Sequence, residues 1–335
     1  MEALPPFRRT IRVSLCPLPS RRQRPDHTGR MGKLFSGWRR QLIGTFSNNS
    51  TEIPQWELDL AKGDDVGHFG PESAVWAVHG SMTPVIAGIR ALLLQALHPG
   101  AMAGVHDFSD YKADPLGRLA GTIRWIFTVT YGDTTAARAG SDWVLRLHER
   151  VSGEYEDAAG VRRPYAANDP ELARWVHLAF TDAFLSSHQR YGGPIPGGPD
   201  AYVAEWAVAG ELMRIADPPR SEAELRAQLA AYDGELRDSA YVREAVRFLR
   251  RPPLPRSQLP GYRVLFAGAV ASLEPRHREL LGLREPRLGP FRVPMRLPVR
   301  AVLGVIRLGL GPMGPSERSA RERIARLENQ QDLQR

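Results

Sequence analysis

The 335-residue chain holds a single cysteine, Cys16, and that scarcity removes two chemistries at once. Neither an internal disulfide framework nor a cysteine-based zinc or iron–sulfur centre can be built from one thiol, and the count suits a reducing compartment such as the cytoplasm. A long apolar run is also missing. The most hydrophobic stretch, Met82 to His98, is interrupted by Pro84, Arg90 and Gln95, and it falls short of the ~20 residues that span a bilayer. Residues 1–55 contain prolines and the pairs Arg8-Arg9, Arg21-Arg22 and Arg39-Arg40, without the continuous apolar segment of a secretory signal. They read as a disordered basic extension, with Met31 as an alternative start. Period-two alternation is scarce, so strands should be few and the fold all-α. Paired Glu-x-x-His helices are absent as well, which sets aside di-iron carboxylate chemistry.

Basic residues are plentiful: 45 Lys and Arg stand against 37 Asp and Glu, for a net charge of +8. Their placement decides what they mean. Residues 1–40 carry ten basic against two acidic groups, residues 41–283 carry 24 against 30, and residues 284–335 carry 11 against five. The body is therefore mildly acidic, which argues against a nucleic-acid-binding face, and the basicity belongs to the two ends. Val293 to Leu310 mixes apolar residues with spaced arginines, as an amphipathic element packed on the body or resting weakly on a membrane surface would. The expected division is a basic extension over 1–55, a helical body over 56–285 and a basic amphipathic extension over 286–335.

Within the body, Ala91 to Val151 gathers polar groups onto otherwise apolar segments. Arg118 and Thr122 are four apart in a helical pattern continued by Ile123, Ile126 and Phe127. That spacing sets a guanidinium and a hydroxyl on one helix face about one turn apart. Arg118 could equally pair with Asp110 or Asp114, and Thr122 could simply bond back to the Arg118 carbonyl. His148 shares a stripe with Val144, Leu147 and Val151, so an imidazole lies on the buried side of a helix. It is either a core histidine with one hydrogen bond or a metal or haem ligand. His98, ahead of Pro99-Gly100, reads as a cationic cap at a helix C-terminus or as a polar group at the mouth of a pocket. His177, inside a helix expected over Leu172–Tyr191 behind the cap Asp169-Pro170, is a second candidate ligand or another core residue. Ala101 to Asp114 reads as a polar connection whose His106, Asp107, Asp110 and Asp114 have a metal site's composition but the spacing of no standard one. Helices are expected over 118–131 and 134–152, joined at Gly132-Asp133, and near 200–214, 221–232, 239–250 and 259–273.

Five segments carry a resemblance: Phe69-Gly-Pro-Glu-Ser-Ala-Val-Trp76, Ala91-Leu-Leu-Leu-Gln-Ala-Leu-His-Pro99, Asp114-Pro-Leu-Gly-Arg-Leu-Ala-Gly-Thr122, Arg146-Leu-His-Glu-Arg-Val-Ser-Gly153 and Asp169-Pro-Glu-Leu-Ala-Arg-Trp-Val-His177. In this order they resemble the domain of unknown function 2236 family, which includes the catalytic domains of bacterial rubber oxygenase (latex-clearing protein) and of an endoplasmic-reticulum oxygenase of mycophenolic acid biosynthesis. The resemblance implies a globin-like helical bundle that holds haem b, with His148 as the axial iron ligand and Arg118 and Thr122 as the distal pair. His98 and His177 stand as further cofactor-binding candidates. The lysine that latex-clearing proteins place beside their distal threonine is Gly121 here, and no matched motif carries their distal glutamate, so the resemblance does not extend to polyisoprene cleavage. The implied function is oxidation of a small apolar substrate with dioxygen. A haem carrier or sensor without turnover and a cofactor-free helical scaffold are the alternatives.

Overall fold

Side-chain caps written into the sequence start half of the described α-helices. The computed structural model describes residues 52–109 and 114–334, all within a unit beginning at Arg39. Cys16, Met31, Asp110 and nearly all of the expected N-terminal extension lie outside the described residues. The described residues form 14 α-helices and two two-stranded hairpins. In order they are α1 (Gln55–Asp59), α2 (Ala74–His79), α3 (Pro84–Gln95), α4 (Pro99–Phe108), α5 (Pro115–Tyr131) and α6 (Thr134–His148). The hairpin β1 (Ser152–Glu156) and β2 (Arg162–Ala166) follows, then α7 (Pro170–Tyr191), α8 (Gly198–Leu212), α9 (Glu222–Ala231), α10 (Ala240–Arg250), α11 (Leu259–Ser272) and α12 (Pro275–Leu280). A short hairpin, β3 (Arg287–Leu288) and β4 (Phe291–Arg292), leads to α13 (Arg296–Leu310) and α14 (Pro315–Leu333). Ser73, Asp114, Asp133 and Asp169 each accept a backbone N–H of the helix they precede, at 2.8–3.2 Å, and a cap of this kind contributes about 1 kcal/mol.

The α3–α7 pair forms the centre. From α3, Ile86, Ala87, Leu93 and Leu94 are buried against the Trp175, Leu178, Ala183 and Phe184 side of α7. One charge is enclosed with them. Arg90 on α3, 2% exposed, donates to Asp182 of α7 through Nε at 3.1 Å and Nη2 at 2.5 Å, and its Nη1 reaches the carbonyl and hydroxyl of Ser272 on α11. Helix α11 approaches closely because of Gly268. A Cβ there would lie 2.5 Å from Val299 Cγ2 and 3.0 Å from Ile86 Cδ1, and the Gly268 carbonyl accepts the Tyr191 hydroxyl at 2.8 Å.

Two expectations need correction. His98 does not cap the C-terminus of α3, which ends at Gln95; it is the N-cap of α4. A proline halts one helix and starts the next equally well, since its missing N–H is an orphan at the first turn. Ala101 to Asp114 is correspondingly helical as far as Phe108 rather than a polar connection. The chain between α6 and α7 forms the β1–β2 hairpin, with Ser152 opposite Ala166 and Tyr155 opposite Arg163. Its five-residue strands are too short and too polar to show a period.

The C-terminal end is a docked helical pair. Helix α13 buries Val299, Leu303 and Ile306 against α11 and α7. Helix α14 sends Arg323, fully buried, to the carbonyls of Leu60, Asp65, Val66 and Tyr131. One guanidinium thus fastens the segment before α2 to the end of α5. Gly67 lies there with φ +88° and its backbone against Gly132; an added Cβ would lie 2.2 Å from the Gly132 oxygen. No single helix among the described residues is long and apolar enough to cross a membrane.

Candidate functional site

Gly132 and Asp133 turn the chain back on itself, so the end of α6 meets the start of α5. The two helices are tied by Trp125 Nε1, which donates to Ser141 Oγ at 3.1 Å, and by Arg124 lying 5.9 Å over the Trp143 ring. This arrangement brings His148 within electrostatic reach of Arg118, thirty residues earlier in the chain. His148 is the last residue of α6 and half-buried. Burial pushes its pKa down; a hydrogen bond with Asn168 opposes that, and the Arg118 charge adds to it, for a net lowering that favours the neutral ring.

Asn168 is the polar neighbour that bears on the ring. Its Nδ2 donates to the Leu145 carbonyl at 2.9 Å, so its oxygen is the atom available to a His148 N–H, in keeping with the upward push that Asn168 gives the His148 pKa. A neutral imidazole has only one N–H, so the other ring nitrogen keeps its lone pair. Asn168 escaped the sequence reading because it sits in the connection to α7, twenty residues beyond His148. Its one sequence signal is its place immediately before the Asp169-Pro170 cap.

The partners proposed for this edge are accounted for unevenly. Thr122 is exposed and its hydroxyl donates to the Arg118 carbonyl at 3.2 Å. Asp114 serves α5 as N-cap. Beside Thr122, a Cβ added to Gly121 would meet nothing within 4 Å, so this face of the helix has open space. On α6, Trp143 and Leu147, one turn apart, are 44% and 46% exposed, an apolar flank adjoining His148.

His98 and His177 are elsewhere. The His98 ring, 1% exposed, accepts Gly100 N–H at 3.2 Å and Ala101 N–H at 3.4 Å on Nδ1, which leaves Nε2–H for Glu235 at 3.2 Å. Both nitrogens are engaged, and burial holds the pKa low despite Glu235. His177 on α7 is buried, its pKa pushed down to about 4 by burial alone. Its Nε2 has no hydrogen-bond partner and lies against α8, where a Cβ on Gly210 would be 3.1 Å away. The nitrogen faces helix backbone, not open space.

A further buried histidine, unremarked in the sequence, sits deeper. His79 pairs Nδ1 with Thr130 Oγ1 at 2.8 Å and Nε2 with the Tyr202 hydroxyl at 3.1 Å, and burial drives its pKa down to about 3. His106 pairs with Asp107 at 3.0 Å and its ring lies tilted against that of Tyr241, while Asp107 accepts the Tyr165 hydroxyl at 2.9 Å. Among the described residues no group of three or more His, Cys, Asp or Glu side chains is arranged to hold a metal ion.

Comparison with protein families gives one match. The model of the family described as "ER-bound oxygenase mpaB/B'/Rubber oxygenase, catalytic domain" covers residues 76–308, from the last turn region of α2 to near the end of α13. Comparisons with curated proteins and with solved structures gave no match.

Proposed function

The chain belongs to this family of oxygenase catalytic domains, and from that premise we propose that it is a haem b-dependent oxidoreductase that uses dioxygen to oxidise a small apolar substrate. The observation that carries the reading is His148: a neutral, half-buried imidazole, oriented by Asn168 and brought beside Arg118 by the α5–α6 turn. One such imidazole is what a protein supplies to haem iron, and Asn168 is the neighbour that would hold its second ring nitrogen and set its tautomer. We therefore assign His148 as the iron ligand. His98 has no free nitrogen to give and acts as a helix cap; His177, pressed against α8, acts as a packing residue.

Haem, when bound, supplies an iron that takes up and activates dioxygen. The chain's own residues do the rest. Arg118 is a permanent cation held beside the site, able to stabilise negative charge as it develops on oxygen. Thr122 has its proton committed to the Arg118 carbonyl and so offers only acceptor lone pairs, which fits positioning rather than proton donation. Trp143 and Leu147 offer an apolar flank for a small apolar substrate. We take residues 56–285 as the catalytic body and place the protein in the cytoplasm, with peripheral membrane contact through the C-terminal segment.

The test is a pyridine haemochrome assay with the visible spectrum of recombinant wild type, His148→Ala and His177→Ala, alongside circular dichroism. We expect a Soret band near-stoichiometric with wild type and with His177→Ala, lost in a folded His148→Ala. A band lost only in His177→Ala overturns the ligand assignment, and no band after haemin reconstitution overturns the haem reading. A stable band without substrate-dependent oxygen uptake would make the protein a carrier or sensor.

A further inference from the structure

From Pro286 through Ser316 the chain has five arginines and no acidic residue. The structure shows how they are presented. Helix α13 turns Val299, Leu303 and Ile306 inward, which accounts for its attachment to α11 and α7. A surface helix normally carries polar residues on the face opposite such a stripe. Here the opposite face is apolar: Leu297, Ala301, Val305 and Leu308 recur at i, i+4, i+8 and i+11, with Leu297 77%, Val305 53% and Leu308 75% exposed. The hairpin that leads into the helix continues the pattern, with Leu288 78% and Phe291 75% exposed around Gly289-Pro290. Elsewhere on the described surface, of the large apolar side chains, only the terminal Leu333 exceeds these.

The charges lie along one side of the same face. Arg296, Arg300 and Arg307 flank the apolar stripe, and Arg287 stands on the hairpin; none of the four forms an ion pair among the described residues. Exposed leucines bordered by uncompensated arginines match a surface that inserts shallowly between lipid headgroups. We infer that the β3–β4 hairpin and the outer face of α13 form a docking surface for an anionic lipid bilayer, holding the body against a membrane without crossing it. Charge argues against the other occupants. Residues 1–51 carry ten basic and two acidic groups, so the chain's own N-terminal segment would be repelled. A second copy meeting through the same face would set arginine against arginine. The inference is independent of the haem reading.

The test is co-sedimentation of the full chain with phosphatidylcholine vesicles, with or without phosphatidylserine at roughly one lipid in three. Because the leucines are exposed, Leu297→Glu/Leu308→Glu keeps the fold, which circular dichroism verifies. Wild type should partition about tenfold more strongly onto the serine-containing vesicles, and the double variant should lose that gain, as should Arg296→Gln/Arg300→Gln/Arg307→Gln. Arg21→Gln/Arg22→Gln should leave it intact. Equal partitioning onto both vesicle types, unchanged partitioning of the leucine variant, or loss confined to the N-terminal variant would each overturn the assignment. So would a wild-type dimer in solution that Leu297→Glu/Leu308→Glu converts to monomer.

Discussion

The core and the α5–α6 edge both contain histidine and arginine, but they use them differently. In the core, His79 has both ring nitrogens occupied, Arg90 spends its guanidinium on Asp182 and Ser272, and His98 holds two backbone donors and one carboxylate. At the edge, His148 has Asn168 as its one neutral polar neighbour, and the Thr122 hydroxyl is bonded within its own helix. A saturated buried polar group fixes shape, because removing it strands its partners; a partly spent one at a half-open position can take a ligand without that cost. Candidate chemistry is thus separated from candidate architecture by what each nitrogen still has to give and by the space beside it, which His177 Nε2, unpaired but pressed against α8, lacks.

The largest effect should come from the core. Arg90→Met strands the Asp182 carboxylate, itself 17% exposed, and should cost about 3–5 kcal/mol in denaturant unfolding. His148→Ala should stay within about 1 kcal/mol of wild type while losing the Soret band. Equal destabilisation by the two would erase the distinction between the regions.

Acid should expose the core next. His79 and His177 are held neutral, with pKa values lowered to about 3 and about 4, against 6.5 for a free histidine. The unfolded chain then binds more protons than the native one below pH 6.5. Stability should be level above that pH and fall as pH drops from 6.5 to 4, with His177 alone contributing on the order of 3 kcal/mol of loss by pH 4. His177→Leu should flatten part of that slope in denaturant melts across this range; an unchanged slope would show that His177 already titrates normally in the folded protein.

At the edge, Asn168→Ala should leave stability nearly unchanged and weaken haem retention about 10- to 100-fold, read by transfer of haem to apomyoglobin. Retention at the wild-type level would mean that Asn168 does not orient the ligand.

Much of the fold was legible because its signals are local. The Asp169-Pro170 start, the Gly132-Asp133 corner and the helices after Gly198 depend on residues a few positions apart, and each lies within a few residues of its expected place. What was misread needed partners far along the chain. His98 looked like the end of a helix because Pro99 stops helices, but its ring caps the next one and reaches Glu235. Asn168 and Arg323 contribute through contacts made only once the helices are packed. For the site, the Arg118, Thr122 and His148 spacings were visible, whereas the closure that brings Arg118 to His148 was not. The arginine-rich end was legible as an amphipathic element, but which of its side chains turn inward, Val299, Leu303 and Ile306, depends on the helices it packs against.

The smallest effect is also the one that separates the regions by sign. Gly121 lies inside α5, where glycine costs up to about 1 kcal/mol relative to alanine, and a Cβ there meets nothing within 4 Å. Gly121→Ala should therefore raise stability by about 0.5–1 kcal/mol and leave the Soret band intact. Gly268, inside α11, has the same helical setting but a packed one: its Cβ would fall 2.5 Å from Val299 Cγ2. The helix-propensity gain is the same, yet displacing α13 or rearranging Val299 should outweigh it, for a net loss of about 1–3 kcal/mol. Parallel thermal melts of the two variants should move in opposite directions. If Gly121→Ala destabilised instead, the space beside Thr122 would already be filled in solution, and the α5–α6 edge would be as closed as the core.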